Sequence, residues 1–205
     1  MRGNPYFAIL LGLSTMAAIS GCQTAGGKNT SLVGPATKPA GEVAAPQFKK
    51  GDEFEFENVS RNPSHKFRRI YKEDRDGNLV FDMGDGREAI YTRNLAAVRF
   101  GDSSWKPHSG MLQFPMKVGS KWSHEYRDVH NNKERIRSCS VDDWSTVKTP
   151  AGEFPAYIIS CRNQWTEATN PAYENYWYAP TAKQVVWYKS DEFKTEYHLS
   201  RMQLK

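Results

Sequence analysis

The stretch CSVDDWSTVKTPAGEFPAYIISC, residues 139–161, carries a turn signal between two runs of strand-forming residues. Proline presets the backbone of a turn and glycine accepts positive φ, so Pro150-Ala151-Gly152 predicts the tip of a β-hairpin. If the hairpin is symmetric about Pro150, Cys139 faces Cys161 at about 4.5–5.5 Å, a separation that a disulfide spans. A bulge near Pro155 would shift the register by one residue and remove this pairing.

Alternating strand patterns and turn signals recur along the rest of the chain. EFEFE, residues 53–57, alternates strictly and places Phe54 and Phe56 on one face of a strand. Asp76-Gly77-Asn78 predicts another hairpin turn. No long segment has a helical period, and the best helix candidate, residues 93–98, is short. The sequence therefore predicts a mainly β fold: an antiparallel sheet curled into a barrel or half-barrel, with few short helices.

Two segments share a basic-x-Gly-polar-x-aromatic pattern. FKKGDEFEFEN begins at Phe48 and MKVGSKWSHEY begins at Met116, which aligns Gly51 with Gly119. This match is typical of a pseudo-repeated β structure with two similar halves. Chance similarity over so few residues is the alternative.

The first 21 residues have the layout of a secretory signal peptide. Arg2 provides the charged start, an apolar run from Tyr6 to Ile19 follows, and small residues precede Cys22. The run is shorter than the roughly 20 apolar residues that a membrane-spanning helix needs. Residues 1–21 are therefore predicted to be removed during export.

The residues around Cys22 resemble the lipobox of bacterial lipoproteins. Ile19-Ser20-Gly21-Cys22 matches its aliphatic-small-small-Cys pattern. The resemblance implies that the Cys22 sulfur is lipidated and that the new amino terminus is acylated, for example with palmitate, which anchors the protein in a membrane. By the same resemblance Gln23, which is not Asp, favours the outer membrane, with the domain facing the periplasm. An ordinary signal peptide followed by an incidental cysteine is the alternative.

Export also bears on the two remaining cysteines. Lipidation of Cys22 leaves Cys139 and Cys161 as an even pair in an oxidising compartment. Together with their facing positions, this predicts a disulfide between them. Two free buried thiols are the alternative.

Composition divides the mature chain into two parts. Residues 22–46 comprise the lipidated cysteine and a stretch rich in Gly, Ala, Pro and Thr, which predicts a disordered tether. Residues 47–205 have the length of a single β-rich domain. The whole chain has 28 Lys and Arg against 23 Asp and Glu, a formal net charge of +5 that is dispersed along the chain. An exported protein with this charge is not expected to bind nucleic acid; attraction to anionic lipids stays open.

Three motifs in the second half resemble the TapB-like family of secreted or lipid-anchored bacterial β proteins. They are FPMKVGSKW, VKTPAGEFPAYIISC and YENYWYAPTAKQVVWY, in this order between Leu112 and Tyr188. The resemblance implies a β fold and an exported location. It implies no biochemical activity.

No motif in the sequence indicates catalysis. The five histidines have no metal-site spacing, and neither a nucleophile elbow nor a phosphate-binding loop is present. The sequence therefore predicts a protein that is not an enzyme and that uses no metal or cofactor. An envelope hydrolase or transferase with dispersed catalytic residues is the alternative.

Aromatic residues are concentrated near the C-terminus, where alternation in YENYWY places rings on both faces of one strand. A strand covered on one side by the core and on the other by a helix or loop explains this pattern. The alternative is a concavity that binds another envelope component, protein, lipid or glycan, because half-barrels hold ligands between their walls. The candidate ligand-binding residues are Trp165, Tyr176, Trp177, Tyr178 and Trp187.

Overall fold

A computed structural model describes residues 31–84, 86–166 and 170–205 of the chain. The predicted signal peptide and Cys22 lie outside the described residues. The described residues form one 3₁₀ turn, Pro180–Ala182, and the following strands: β1 Ser31–Pro35, β2 Glu53–Asn58, β3 His65–Arg75, β4 Asn78–Asp82, β5 Glu88–Tyr91, β6 Ala97–Phe100, β7 Ser103–Lys106, β8 Lys121–Asp128, β9 Lys133–Thr149, β10 Gly152–Trp165, β11 Ala172–Ala179, β12 Gln184–Ser190 and β13 Thr195–Gln203.

Strands β2 to β13 form a closed antiparallel barrel. Each strand pairs with the next along the chain, and β13 pairs with β2 to close the circle. This confirms the predicted mainly β fold and decides between its two forms, because closure leaves no free edge of the kind that a half-barrel has. Among the described residues, no helix is long and apolar enough to span a membrane.

Local sequence signals account for most strands and turns. Phe54 and Phe56 of β2 are buried, and Asp76 and Gly77 both adopt positive φ in the β3–β4 turn, as a two-residue hairpin requires. The helix predicted near residues 93–98 is wrong. Leu95 has a φ of 56°, which ends any helical turn there, and β6 begins two residues later.

The β9–β10 hairpin has a different centre from the predicted one. Thr149 pairs with Gly152, so the turn consists of Pro150 and Ala151 and is not symmetric about Pro150. This register, continued without interruption, would leave the two cysteines one residue out of alignment. A bulge at Asp142, opposite Ile158 and Ile159, shifts the register back by one residue.

As a result of this bulge, Cys139 pairs directly with Cys161. Their Cα atoms lie 4.1 Å apart and their sulfur atoms are bonded. The predicted disulfide is confirmed. The bulge lies at Asp142 and not near Pro155, and it produces the pairing that a bulge near Pro155 was expected to remove.

The sequence match around Gly51 and Gly119 corresponds to a repeated structure. Both glycines have positive φ, 89° and 92°, and each donates a hydrogen bond to a carbonyl of the second strand of its hairpin: Gly51 N to Tyr71 O at 2.9 Å and Gly119 N to Val141 O at 2.8 Å. These equivalent turns lead into β2 and β8, which each begin a run of six strands. The sequence match therefore corresponds to a repeated turn at the start of β2 and of β8.

Residues 31–46, the described part of the predicted disordered tether, contain one strand and one isolated β-bridge. β1 pairs with the last part of β9, and Val43 forms an isolated bridge with Met116. The last part of β9 extends beyond its pairing with β8, so its backbone groups on that edge are available to another strand. Leu32 and Val33 stay more than half exposed, so backbone hydrogen bonds, which composition does not report, hold this segment.

Apolar side chains fill the interior of the barrel toward one of its two ends. The core residues include Phe54, Tyr71, Phe81, Val141, Tyr157, Ile159 and Tyr178. The connection between β7 and β8 adds Leu112 and Met116, which are also buried there. The interior toward the other end of the barrel is open.

Candidate functional site

The open end of the barrel interior holds a cavity, here called the cup, with a volume of about 430 Å³. Alternation along each strand directs every second side chain into it. A volume of this size lies within the roughly 300–1,000 Å³ range of small-molecule sites. Ten of its 23 lining residues are aromatic: Phe56, Phe67, Tyr91, Phe100, Trp105, Tyr126, Tyr176, Tyr188, Phe193 and Tyr197.

The cup is closed at its inner end and open at the other. Ser109 and Met111, from the β7–β8 connection, contribute to the inner end. The residues at the opposite end are exposed: Ser103, Asn131 and Phe193, the last with 56% of its surface accessible. A ligand would therefore enter between the β6–β7, β8–β9 and β12–β13 connections.

A buried ion pair lies deep in the cup. Arg137 Nη2 is 2.8 Å from Glu174 Oε2, and Arg137 also donates to Asn163 Oδ1 and to the Ser109 carbonyl at 2.7 and 2.6 Å. All three nitrogens of this guanidinium therefore have partners. The pair connects β9 to β11 across β10 and to the β7–β8 connection.

Two tyrosines complete the surroundings of Glu174. Tyr176 and Tyr188 each donate a hydrogen bond to this carboxylate, at 2.6 and 2.9 Å. Burial by itself raises the pKa of Glu174, but Arg137 and the hydrogen bonds outweigh burial and hold the pKa below its usual value. Burial and the neighbouring carboxylate raise the pKa of Tyr176 well above its usual value. Glu174 is therefore ionised and Tyr176 neutral at physiological pH.

A second buried arginine lies nearer the mouth. Arg135 Nη1 donates to both oxygens of Glu192 at 2.9 and 3.1 Å, and its Nη2 is 3.3 Å from Asp128 Oδ2. Burial raises the pKa of Glu192, and Arg135 lowers it in part. The guanidinium also lies 4.8 Å from the centre of the Trp165 ring. Trp165, a candidate ligand-binding residue, therefore packs against Arg135 and is not part of the cup wall.

The other candidate aromatic residues lie at different places. Tyr176 lines the cup, whereas Tyr178 lies in the core, 5.0 Å from the ring of Phe114. Trp177 and Trp187 stack on each other at 3.9 Å. Trp177 is adjacent to the inward-facing Tyr176 on β11, and it pairs with Trp187 on β12. Both tryptophans therefore lie on the outer face of the barrel. The structure thus brings only one of the five into the cup.

Arg69 is a further buried arginine of the cup, and the sequence analysis did not identify it. It is 7% exposed. It donates to Tyr91 Oη and, at 3.3 Å, to Gln184 Oε1, and it forms no ion pair with any acidic residue that the structure describes. A signal was present in KFRRIY: strand alternation places Arg69 on the same face as Phe67 and Tyr71, which are apolar.

The fold is similar to that of the hypothetical lipoprotein YmcC from Escherichia coli, with a TM-score of 0.50 and 10% identity over 80% of this chain and 90% of that chain. A protein from Parabacteroides distasonis inferred to be a lipoprotein matches with a TM-score of 0.45 and 11% identity, over 80% of this chain and 100% of that chain. A protein from Bacteroides fragilis inferred to be exported, with a YmcC-like fold, matches with a TM-score of 0.43 and 13% identity over the same shares. At these identities the likeness shows the fold alone.

No protein-family model matches the sequence, and no curated protein matches it at a significant level. The resemblance of the second half to the TapB-like family is therefore not confirmed.

Proposed function

We propose that this chain is a non-enzymatic lipoprotein of the bacterial envelope whose barrel binds an apolar envelope molecule, such as a lipid, in its cup. Acylated Cys22 would anchor it in the outer membrane, with the barrel in the periplasm. The aromatic, one-ended cup is the observation that carries the proposal. The YmcC protein, which shares the fold, is itself a hypothetical lipoprotein.

The shape and chemistry of the cup favour a lipid over the other two predicted partner classes. A concave site of about 430 Å³ is too enclosed to receive a folded protein surface. A glycan needs hydrogen bonds to many hydroxyl groups. The deep polar groups Arg137, Glu174 and Tyr176 already bond to one another. An apolar chain needs only the ring surfaces that the wall offers.

The state of Glu174 supports binding over reaction. A general base works best with a pKa near the operating pH, whereas Arg137 and two tyrosines hold the pKa of this carboxylate below its usual value. Its oxygens accept hydrogen bonds from Tyr176 and Tyr188. The residue therefore contributes to the stability of the cup.

Blocking the mouth should abolish binding without disturbing the fold. Ser103 is exposed and lines the cup, so Ser103→Trp should place an indole across the entrance. We expect N-phenyl-1-naphthylamine, a neutral apolar fluorophore, to bind saturably to the full chain and to lose at least about tenfold in affinity in this variant. Cys22→Ser in all samples would remove the protein's own acyl groups from the assay.

Ser104→Trp is the matched control, because its side chain lies on the other face of β7. It should bind the fluorophore like the unblocked chain. Equal binding by both tryptophan variants, or no saturable binding by any sample, would contradict the proposed site.

The anchor has its own test. We expect the native protein to partition with membranes and its intact mass to correspond to a chain that begins at triacylated Cys22, because the residues before it resemble a lipobox. Cys22→Ser should leave the protein unprocessed or soluble. An unmodified amino terminus at another residue, found by intact-mass measurement, would contradict lipidation.

A further inference from the structure

We propose that the molecule bound in the cup is an amphiphile whose anionic oxygen headgroup, carboxylate or phosphate, binds Arg69 while its apolar chain extends toward the mouth. This inference rests on the proposed function and specifies the ligand of that site. The charge, the unpaired donors and the apolar surroundings at Arg69 each support it.

The first argument is the balance of charge in the cup. Of the three buried arginines in its wall, Arg137 is paired with Glu174, and Arg135 is paired with Asp128 and Glu192. Arg69 has no acidic partner among the residues that the structure describes. A buried cation without a counter-charge is costly. An anionic group of a ligand would compensate the charge of Arg69 and so bind favourably here.

The second argument is the surplus of hydrogen-bond donors. Arg69 Nε is buried and has no acceptor in the described chain; the same is true of Gln184 Nε2, although Gln184 is not among the residues that line the cup, and of Arg135 Nε. The two side chains are in contact, since Arg69 Nη2 donates to Gln184 Oε1. A carboxylate or phosphate only accepts hydrogen bonds and has several acceptor positions, so it matches a group of donors that has no acceptor.

The third argument is what surrounds the guanidinium. Its central carbon lies 4.5 Å from the ring centre of Phe56, 5.2 Å from that of Tyr91 and 6.0 Å from that of Phe100. A sugar acid would place hydroxyl groups against these rings, where the hydroxyl groups would have no hydrogen-bond partners. An alkyl chain attached to the headgroup would bury its surface there instead.

The strand register gives the direction of the chain. Phe67 pairs with Phe56, and Arg69 pairs with Phe54, two residues further from the β2–β3 connection. Arg69 therefore lies deeper than the stacked Phe56 and Phe67 rings. A headgroup at Arg69 would direct its chain past these rings and toward Tyr197, which contacts Phe67 nearer the mouth.

The test compares probes that differ only in the headgroup. Laurate, dodecyl phosphate and neutral 1-dodecanol would each displace N-phenyl-1-naphthylamine from the full chain carrying Cys22→Ser, at a pH where laurate is ionised. We expect laurate or dodecyl phosphate to bind about 10- to 100-fold more tightly than dodecanol, the usual range for hydrogen bonds to a charged group. The tighter of the two identifies the headgroup as carboxylate or phosphate.

Arg69→Met should abolish this preference, so that the charged and neutral probes bind with similar affinities, and Arg69→Lys should retain part of it. Arg69→Met removes an unpaired buried charge but also the donors to Tyr91 Oη and Gln184 Oε1, so thermal unfolding beside the parent chain should be used to show that the variant is folded. Arg68→Met is the matched control: Arg68 is the preceding residue of the same strand and is exposed. It should keep the full preference.

The outcomes separate this inference from the proposed function. Equal affinities for the charged and neutral probes in the parent chain, or a preference that survives Arg69→Met, would overturn the role of Arg69 and leave the cup as an apolar site. Failure of every probe, including the fluorophore, would overturn the proposed function itself.

Discussion

Replacing Arg137 by methionine is expected to destabilise the barrel by about 3–5 kcal/mol, the usual cost of removing one partner of a buried ion pair. Glu174 is only 2% exposed, so water cannot replace the lost guanidinium. Arg137 also donates to Asn163 and to the Ser109 carbonyl, so the variant leaves further acceptors unpaired. Urea unfolding monitored by tryptophan fluorescence, with the disulfide intact, would measure the change.

The double variant Arg137→Met with Glu174→Met should recover much of this loss, because apolar side chains of similar volume often replace a buried pair without cost. Arg127→Met is the matched control. Arg127 forms an ion pair of similar length, 2.7 Å, with Glu134, but both side chains are about half exposed. Surface pairs contribute only about 0–1 kcal/mol. A loss at Arg137 no greater than at Arg127 would contradict the expectation.

Acid should weaken the same contact. The folded-state pKa of Glu174 lies below its usual value, because Arg137 and the hydrogen bonds from the tyrosines outweigh burial, so its ionised form stabilises the folded state. That contribution is fully present above the unfolded pKa and is lost as the pH falls through the lower folded pKa. The double variant has no carboxylate at position 174 and should therefore lose less stability over this acidic range.

Removing the disulfide should destabilise the domain by about 3 kcal/mol. The bond joins residues with a sequence separation of 22, and the chain-entropy model gives a value of this order for such a loop. Cys139→Ala and Cys161→Ala should have similar effects, and the double variant should lose little more, because either substitution already opens the loop. Thermal unfolding of the three variants would measure this.

The bulge at Asp142 adds a second reason for this effect. The strand register differs by one residue between the two sides of the bulge, so the bond at Cys139 holds the pairing on the side distant from the turn. The unreduced, denatured parent chain should show no titratable thiol from this pair. Reduction of the folded parent should lower its unfolding temperature as far as the double variant does. Two titratable thiols, or unchanged stability in the variants, would contradict the expectation.

Interactions between near neighbours in the chain could be predicted from the sequence. The alternation around Phe54 and Phe56 depends only on the two-residue period of a strand. The β3–β4 turn depends on the positive φ that Asp76 and Gly77 accept. The disulfide was correctly predicted as well, although the turn centre was wrong and a bulge restored the alignment.

Amino-acid composition does not indicate where backbone groups pair, and such pairing decides the structure of β1. The prediction of a disordered tether counted only the apolar side chains available for burial in residues 22–46. β1 instead pairs through its backbone with the part of β9 that β8 leaves unpaired. The last part of β9 is left without β8 as a partner only in the assembled barrel. The sequence of β1 therefore does not show that this edge is available to it.

The sequence by itself determined the strand class, the turn chemistry and the cysteine pair, because each depends on a few adjacent residues or on one hairpin; the anchor at Cys22 stays a prediction. Only the tertiary structure decided which strand faces point inward, and it left one of five candidate aromatic residues in the cup. It also brought Arg69 together with Gln184, which is 115 residues away in the sequence. Closure of twelve strands sets such contacts, because it is the curvature of the whole sheet that places side chains from distant strands around one cavity.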